Sequence, residues 1–414
     1  MGLPYRLAPI FRRVAFIVGV VGPGLITASA GNDAPGTATY SMAGSFYGYG
    51  LLWVLAWSAL GAVVVLEMGA RMGAVTGKGL SDLIRERFGV KMTALVMLGL
   101  VVANLGTTAA EFAGIAASSE LFGVSRYLSV PVAALAVWFL VVRGSYGRVE
   151  KVLLLLGMYA LAYVVTTFLV RPPWGEVLRR TIVPTLTWDG GYLLAALATI
   201  GTTLTPWACE YIQASVADKG VRPEEYRYTR LDVVVGLLAN SAVSAFIIVC
   251  TAATLYARGI RVQTAEQAAL VLAPLAGRWA TLFFGLGLMG ASLLAASVLP
   301  LATTYAVCEA FGWERGIDRR ADEAPLFYGL YASLIVVGAL VVLIPGLPLF
   351  PLMWLSQVLN AVLLPAIVVL MLLLANDRQI MGEWRNSRLT NVLAALLAVV
   401  ISVATVALLA DAVR

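Results

Sequence analysis

Eleven stretches of almost continuous apolar residues run along the 414-residue chain, at 13–47, 51–72, 92–120, 128–143, 151–170, 190–217, 232–257, 279–310, 325–345, 349–375 and 389–411. Stretches of this length predict helices that cross a bilayer hydrocarbon core of about 30 Å. The polar connections are short, which predicts a single membrane domain over 1–414 with no soluble module. Two of the stretches are broken from within. The first is interrupted by SAGNDAPGTAT at 29–39, the sixth by TIGTTLTPWACE at 199–210. An offset of five is what two inverted five-helix repeats produce, here over about 13–171 and 190–375, with 389–411 as an extra helix.

Composition sharpens this picture. With 60% hydrophobic and 13% charged residues and a mean hydropathy of +0.88, a soluble domain is excluded. The first apolar stretch is too long for a cleavable signal peptide and runs into the broken motif instead of a cleavage site. Cys209, Cys250 and Cys308 sit in apolar stretches and form no CxxC spacing, so they read as small core residues. The chain has no histidine, which removes the commonest metal ligand and proton shuttle. Most of the 29 Lys and Arg fall in alternate connections, among them Arg71 to Lys91, Lys219 to Arg230, Arg315 to Arg320 and Arg378 to Arg388. The net charge of +6 is therefore a topology signal and not a nucleic-acid footprint, with the N-terminus expected in the cytoplasm and the C-terminus outside.

A charge at mid-membrane depth costs about 3 kcal/mol on insertion scales, and a broken helix strands backbone groups there as well. Asp33 carries both costs. A cation held by its carboxylate and by freed carbonyls offsets them. The competing reading is a Pro/Gly kink with Asp33 paired to an arginine, but a kink requires no acid. In the sixth span Thr202 and Thr205 are spaced as neighbours on one helical face just before Pro206, where they offer hydroxyls and freed carbonyls; threonines that bond back to their own helix are the alternative. The third span carries Asn104, Thr107, Thr108 and Glu111 on one face, in ANLGTTAAEFAGIAA. A stripe ending in a carboxylate reads as the wall of an aqueous path or the surround of a cation site, against hydrogen-bonding glue between helices. Gln357 and Asn360 share a face of the tenth span, and Glu210 is a third intramembrane acid, one turn past Pro206.

These motifs resemble the Nramp family of divalent-metal transporters over almost the whole chain. The resemblance rests on Gly22-Pro23-Gly24, Asp33, AGSFYGYGLLWVL at 43–55, GARMGAVTGKGL at 69–80, the proline-broken sixth span and SQVLNAVLLP at 356–365. It implies an all-helical LeuT-type fold with two inverted five-helix repeats, broken first and sixth helices and alternating access. It implies a metal site at Asp33, Gly36, Thr205 and Asn360, with Ala30 and Thr202 contributing backbone carbonyls and Glu111 at or just behind the ion. The departures are chemical. Gly36 stands where manganese and iron transporters of the family carry a coordinating asparagine. Thr205 replaces their methionine and Trp207 a histidine tied to proton movement. Thr107 and the displaced Glu111 replace an acidic pair. The pattern is similar to the Nramp-related magnesium transporters of prokaryotes.

Loss of a thioether fits a hard cation, because Mg²⁺ takes oxygen ligands and keeps several waters. The expectation is uptake of Mg²⁺, with Mn²⁺ also accepted, into the cytoplasm across the cell membrane and without proton coupling. No enzyme activity, no cofactor and no nucleic-acid partner are expected, and the chain is expected to work as a monomer in the bilayer. The alternatives are a proton-coupled Mn²⁺/Fe²⁺ importer, an amino-acid carrier on the same scaffold, and a non-transporting membrane sensor.

Overall fold

The computed structural model describes residues 32–142, 156, 158–317 and 319–412, and among these there are helices and turns but no strand. In chain order the main helices are α1 (Ala34–Tyr47), α2 (Leu52–Thr76), α3 (Leu80–Leu121), α4 (Arg126–Val142), α5 (Ala160–Val170), α6 (Trp174–Ile182), α7 (Gly190–Thr203), α8 (Pro206–Asp218), α9 (Tyr226–Thr254), α10 (Ala280–Phe311), α11 (Pro325–Val342), α12 (Leu349–Asn376) and α13 (Arg388–Ala412). Among the described residues, eight helical stretches are long and apolar enough to cross a membrane. The shorter apolar helices α4 and α5 stand where the fourth and fifth spans are expected. α1 is the second half of the expected first span. The earlier half, with Gly22–Gly24 and Ala30, lies outside the described residues.

Local sequence explains the ends of these helices. α2 stops at Gly77, whose left-handed backbone (φ 63°) lets its amide reach back to Gly73. Within α3, Gly89 (φ 79°, ψ 171°) breaks the helix, so that Leu80–Phe88 forms a separate short helix before the spanning part. The sixth span is two helices. α7 ends at Thr203, Leu204 and Thr205 are extended, and α8 restarts on Pro206, whose missing N–H is harmless in a first turn. This overturns one expectation: Thr202 and Thr205 do not share a helical face, because the chain unwinds between them. α6, an amphipathic surface helix in the connection between the fifth and sixth spans, had no clear apolar signal in the sequence.

The bundle is built on close approaches through small residues, as membrane helices favour. A Cβ at Gly44 of α1 would come within 2.5 Å of the Ile248 carbonyl of α9. One at Gly201 of α7 would run into the Gln357 carbonyl of α12. α1 lies at the centre, packed against α3, α7, α9 and α12. Large apolar side chains such as Leu389, Val403 and Leu409 of α13 point outward, as a lipid-facing surface requires.

The basic connections come together at one end of the bundle. The Gly79 amide donates to Glu309 Oε1 at 3.0 Å, Gln213 Nε2 donates to the Lys78 carbonyl at 3.0 Å, and Arg87 pairs with Asp377 at 2.8 Å. Arg71, buried near the end of α2, donates to the Trp384 carbonyl and to Asn386 in the connection before α13. The alternation of spans read from Lys and Arg is thus matched by contacts among the loops that carry them.

Candidate functional site

Asp33 caps α1. Its Oδ1 accepts the Gly36 amide at 2.8 Å, satisfying one of the amides that a helix start leaves without a partner. Asn32 and Ala34 on either side are fully buried, whereas Asp33 itself is only partly so. Asn32 is anchored to α9: its Nδ2 donates to Asn240 Oδ1 at 2.6 Å and its Oδ1 accepts from Ser244 Oγ at 3.1 Å. The break is therefore clamped on one side by α9 and stiffened on the other by the α1 first turn.

Glu111 comes to this point from α3. It is fully buried, and its carboxyl lies within interaction range of the Asp33 carboxyl and the Ala34 amide. Neither of its oxygens has a hydrogen-bond partner of good geometry. Gly114, one turn further along α3, makes the approach possible, since a Cβ there would overlap Ala34 Cβ and the Ser292 side chain of α10. Ser292 Oγ is also buried without a partner. Among the described residues no cationic side chain forms an ion pair with Asp33 or Glu111. The arginine-paired kink thus finds no partner for Asp33 among the described residues.

α12 supplies the polar wall opposite. Asn360, fully buried, donates from Nδ2 to Thr107 Oγ1 at 3.1 Å and to Gln357 Oε1 at 3.2 Å. Thr107 stands one helical turn before Glu111, so Asn360, Thr107, Glu111 and Asp33 form a continuous polar seam between α12, α3 and α1. Thr108 and Asn104 separate from that seam. Thr108 bonds back to the Asn104 carbonyl at 2.7 Å, and Asn104 Nδ2 donates to Thr303 of α10 at 2.8 Å. Asn104 thus bonds between helices, as in the competing reading, while the Thr108 hydroxyl bonds within its own helix.

The second break sits beside the first. Tyr40 of α1 and Thr203 of α7 share a hydrogen bond at 3.1 Å. Pro206 has no N–H for the Thr202 carbonyl four residues earlier, so that oxygen is freed. Thr205 caps α8 without a side-chain hydrogen bond to it. Trp207 carries an indole N–H that is buried and unpartnered. Gly36 acts here through its amide, toward Asp33.

Among the described residues no three His, Cys, Asp or Glu side chains converge. The donor set is two carboxyls, hydroxyls, side-chain amides and freed carbonyls, which is oxygen chemistry. Sequence reading missed Asn32, Asn240, Ser244 and Ser292. The i, i+4 pair Asn240/Ser244 in the seventh span is the one local signal that pointed to a polar face on α9.

The family model for Nramp, described as natural resistance-associated macrophage protein-like, matches residues 24–411. The chain belongs to the Nramp family. It is 29% identical over 399 residues to a protein named divalent metal cation transporter MntH from Erwinia tasmaniensis, covering 94% of this chain and 93% of that one. It is also 29% identical to the protein of the same name from Aeromonas hydrophila, over 91% of each chain. In three dimensions it matches an Eremococcus coleocola manganese transporter with a TM-score of 0.75 at 20% identity, over 94% of this chain and 85% of that one. MhsT, solved in complex with L-phenylalanine, matches with a TM-score of 0.60 at 17% identity, over 94% and 97%. The Nramp chain thus has the LeuT-type fold that the family resemblance implies. It is a multi-pass membrane transporter and not an enzyme, and a transported ion is a substrate with no cofactor beside it.

Proposed function

We propose that this Nramp protein moves divalent cations into the cytoplasm by alternating access, with Mg²⁺ as its main substrate and Mn²⁺ also accepted. The relatives named as divalent metal cation transporters support the ion class. The observation that carries the site is the convergence of Asp33 and Glu111, without an ion-pair partner among the described residues, at the start of a half-helix beside a second helix break. Two carboxyls brought together in a low-dielectric interior attract a cation strongly. Asp33 is the charged ligand, with the Asn360 amide, the Thr205 hydroxyl and the carbonyls of Ala30 and Thr202 completing an oxygen shell, and Gly36 leaving space for retained water.

Selectivity follows from the donors. No imidazole exists anywhere in the chain, and threonine stands where the family's thioether would be. Such a shell gives Mg²⁺ its preferred ligands and gives Mn²⁺ no soft-donor advantage. The membrane potential alone favours entry, at about 2.3 kcal/mol per elementary charge per 100 mV and twice that for a divalent ion. The inverted repeats at 13–171 and 190–375 rock about the site, and the clustered basic loops face the cytoplasm.

One observation favours a second reading, proton-coupled Mn²⁺ import: Glu111 presents two unpartnered oxygens beside Asp33, where a carboxyl can carry a proton. Proteoliposomes containing the purified protein decide between them, read with Mg²⁺ and Mn²⁺ sensors and an internal pH dye. The uniport reading expects Mg²⁺ entry with no pH change, abolished by Asp33→Ala. Mn²⁺ entry with lumenal acidification and no Mg²⁺ signal would overturn it.

A further inference from the structure

A cavity of about 400 Å³ opens between α8 and α10 at the end of the bundle that carries the basic loops. At about 30 Å³ per water, it holds roughly a dozen waters, more than one octahedral hydration shell requires. Its lining on α8 begins at Glu210, four residues past the helix restart at Pro206, or about 6 Å along the axis. The cavity therefore starts close to the second helix break and leads away from it.

Glu210 is only 6% exposed although it lines this space. Its Oε2 accepts from Ser81 Oγ at 2.8 Å and the Ser81 amide is near the carboxyl, while Oε1 has no hydrogen-bond partner of good geometry. A buried carboxyl oxygen left without a partner is destabilising, so an occupant that satisfies it is favoured. Across the cavity Glu309 of α10 is held in place: Oε1 accepts the Gly79 amide and Oε2 lies 3.4 Å from Arg315 Nη1. Asp82 of α3 interacts with the same carboxyl from behind. The other charged groups lining the space, Asp218, Lys219 and Arg315, are more exposed than Glu210 and lie toward its open end.

We propose that Glu210 and Glu309 form a second cation station, where a hydrated divalent ion pauses between the helix break and the aqueous face. The ion keeps its water shell and meets the carboxylates largely through it, as Mg²⁺ commonly does. This inference rests on the reading that the chain moves divalent cations, and it adds a second site to the path.

The test is Mn²⁺ binding to the purified full-length protein in detergent, followed by loss of the free-ion electron paramagnetic resonance signal. Wild type is expected to bind two ions in the millimolar range. Asp33→Ala is expected to keep one, and Asp33→Ala combined with Glu210→Gln and Glu309→Gln to keep none. Glutamine still accepts from Ser81 Oγ and the Gly79 amide, so both variants retain the local hydrogen bonds. Glu210→Gln alone, which leaves Glu309 untouched, is expected to weaken the remaining ion about tenfold. An Asp33→Ala protein that binds no Mn²⁺, or one whose ion is indifferent to Glu210 and Glu309, would overturn the second station. If instead Asp33→Ala removes no ion while the glutamine pair removes one, the station stands and the central site is wrong.

Discussion

The Gly36 amide donates to Asp33 Oδ1 at 2.8 Å, so one oxygen of the carboxylate is committed to the helix start, and among the described residues the carboxyl forms no ion pair. This single bond separates two roles that a substitution at Asp33 would otherwise mix. Asparagine caps a helix about as well as aspartate. Asp33→Asn should therefore leave the melting temperature of the detergent-solubilised protein nearly unchanged. It should lower divalent uptake by more than about 100-fold, beyond the 10–100-fold typical of an outer hydrogen-bond partner. Uptake within tenfold of wild type would place the ion elsewhere.

Both helix breaks were legible in the sequence because Pro35 and Pro206 stand beside polar residues where a proline suits the first turn of a new helix, and because an aspartate in a membrane span has to be explained. Glu111 was legible for the same reason. The shared face of Thr202 and Thr205 was not, because helical spacing assumes a helix, and Pro206 ends α7 before the second threonine. The Asn32–Asn240–Ser244 cluster depends on α9 packing against α1, a tertiary meeting of segments far apart in the chain. No local periodicity encodes such a meeting. Gly114 and Gly201 look like any small residues of a membrane span until the neighbouring backbone is placed against them.

Selectivity offers the second prediction. Thr205 has an extended backbone (φ −97°, ψ 145°) that methionine adopts without strain, and its side chain makes no cap bond to α8. Thr205→Met should raise the preference for Mn²⁺ over Mg²⁺ about tenfold, equivalent to about 1.4 kcal/mol, by adding a soft donor. Competition of Mg²⁺ against Mn²⁺ uptake in proteoliposomes measures it. An unchanged ratio would mean that Thr205 does not face the ion.

Packing at the breaks makes a third prediction. A Cβ at Gly201 meets the Gln357 carbonyl, a backbone atom that has no rotamer to escape into. A Cβ at Gly114 meets two side-chain atoms, Ala34 Cβ and Ser292 Oγ, of which only the serine can turn away. Both Gly201→Ala and Gly114→Ala should destabilise by about 1–3 kcal/mol or more, as overpacking does, with Gly201→Ala the worse. Thermal unfolding in detergent ranks them. Equal melting temperatures for both variants and wild type would contradict the close approach of α7 to α12 and of α3 to α1.

The polar seam between α12 and α3 supplies the last prediction. Asn360 Nδ2 donates to Thr107 Oγ1 at 3.1 Å and to Gln357 Oε1 at 3.2 Å, all within the buried interior. Removing either end of the Asn360–Thr107 bond costs the other a partner, at about 0.5–1.5 kcal/mol, although Thr107 still donates to the Ala103 carbonyl and Asn360 to Gln357; removing both ends loses that bond only once. Asn360→Ala and Thr107→Val should each destabilise, and the double variant should destabilise less than their sum by about 0.5–1.5 kcal/mol. The transport readout separates the two residues. Asn360→Ala removes a proposed ligand and should weaken cation affinity, while Thr107→Val should alter affinity only through the position of Asn360. Additive stabilities, with equal losses of affinity in the two single variants, would mean that the two residues act independently and that Asn360 gains nothing from its bond to α3.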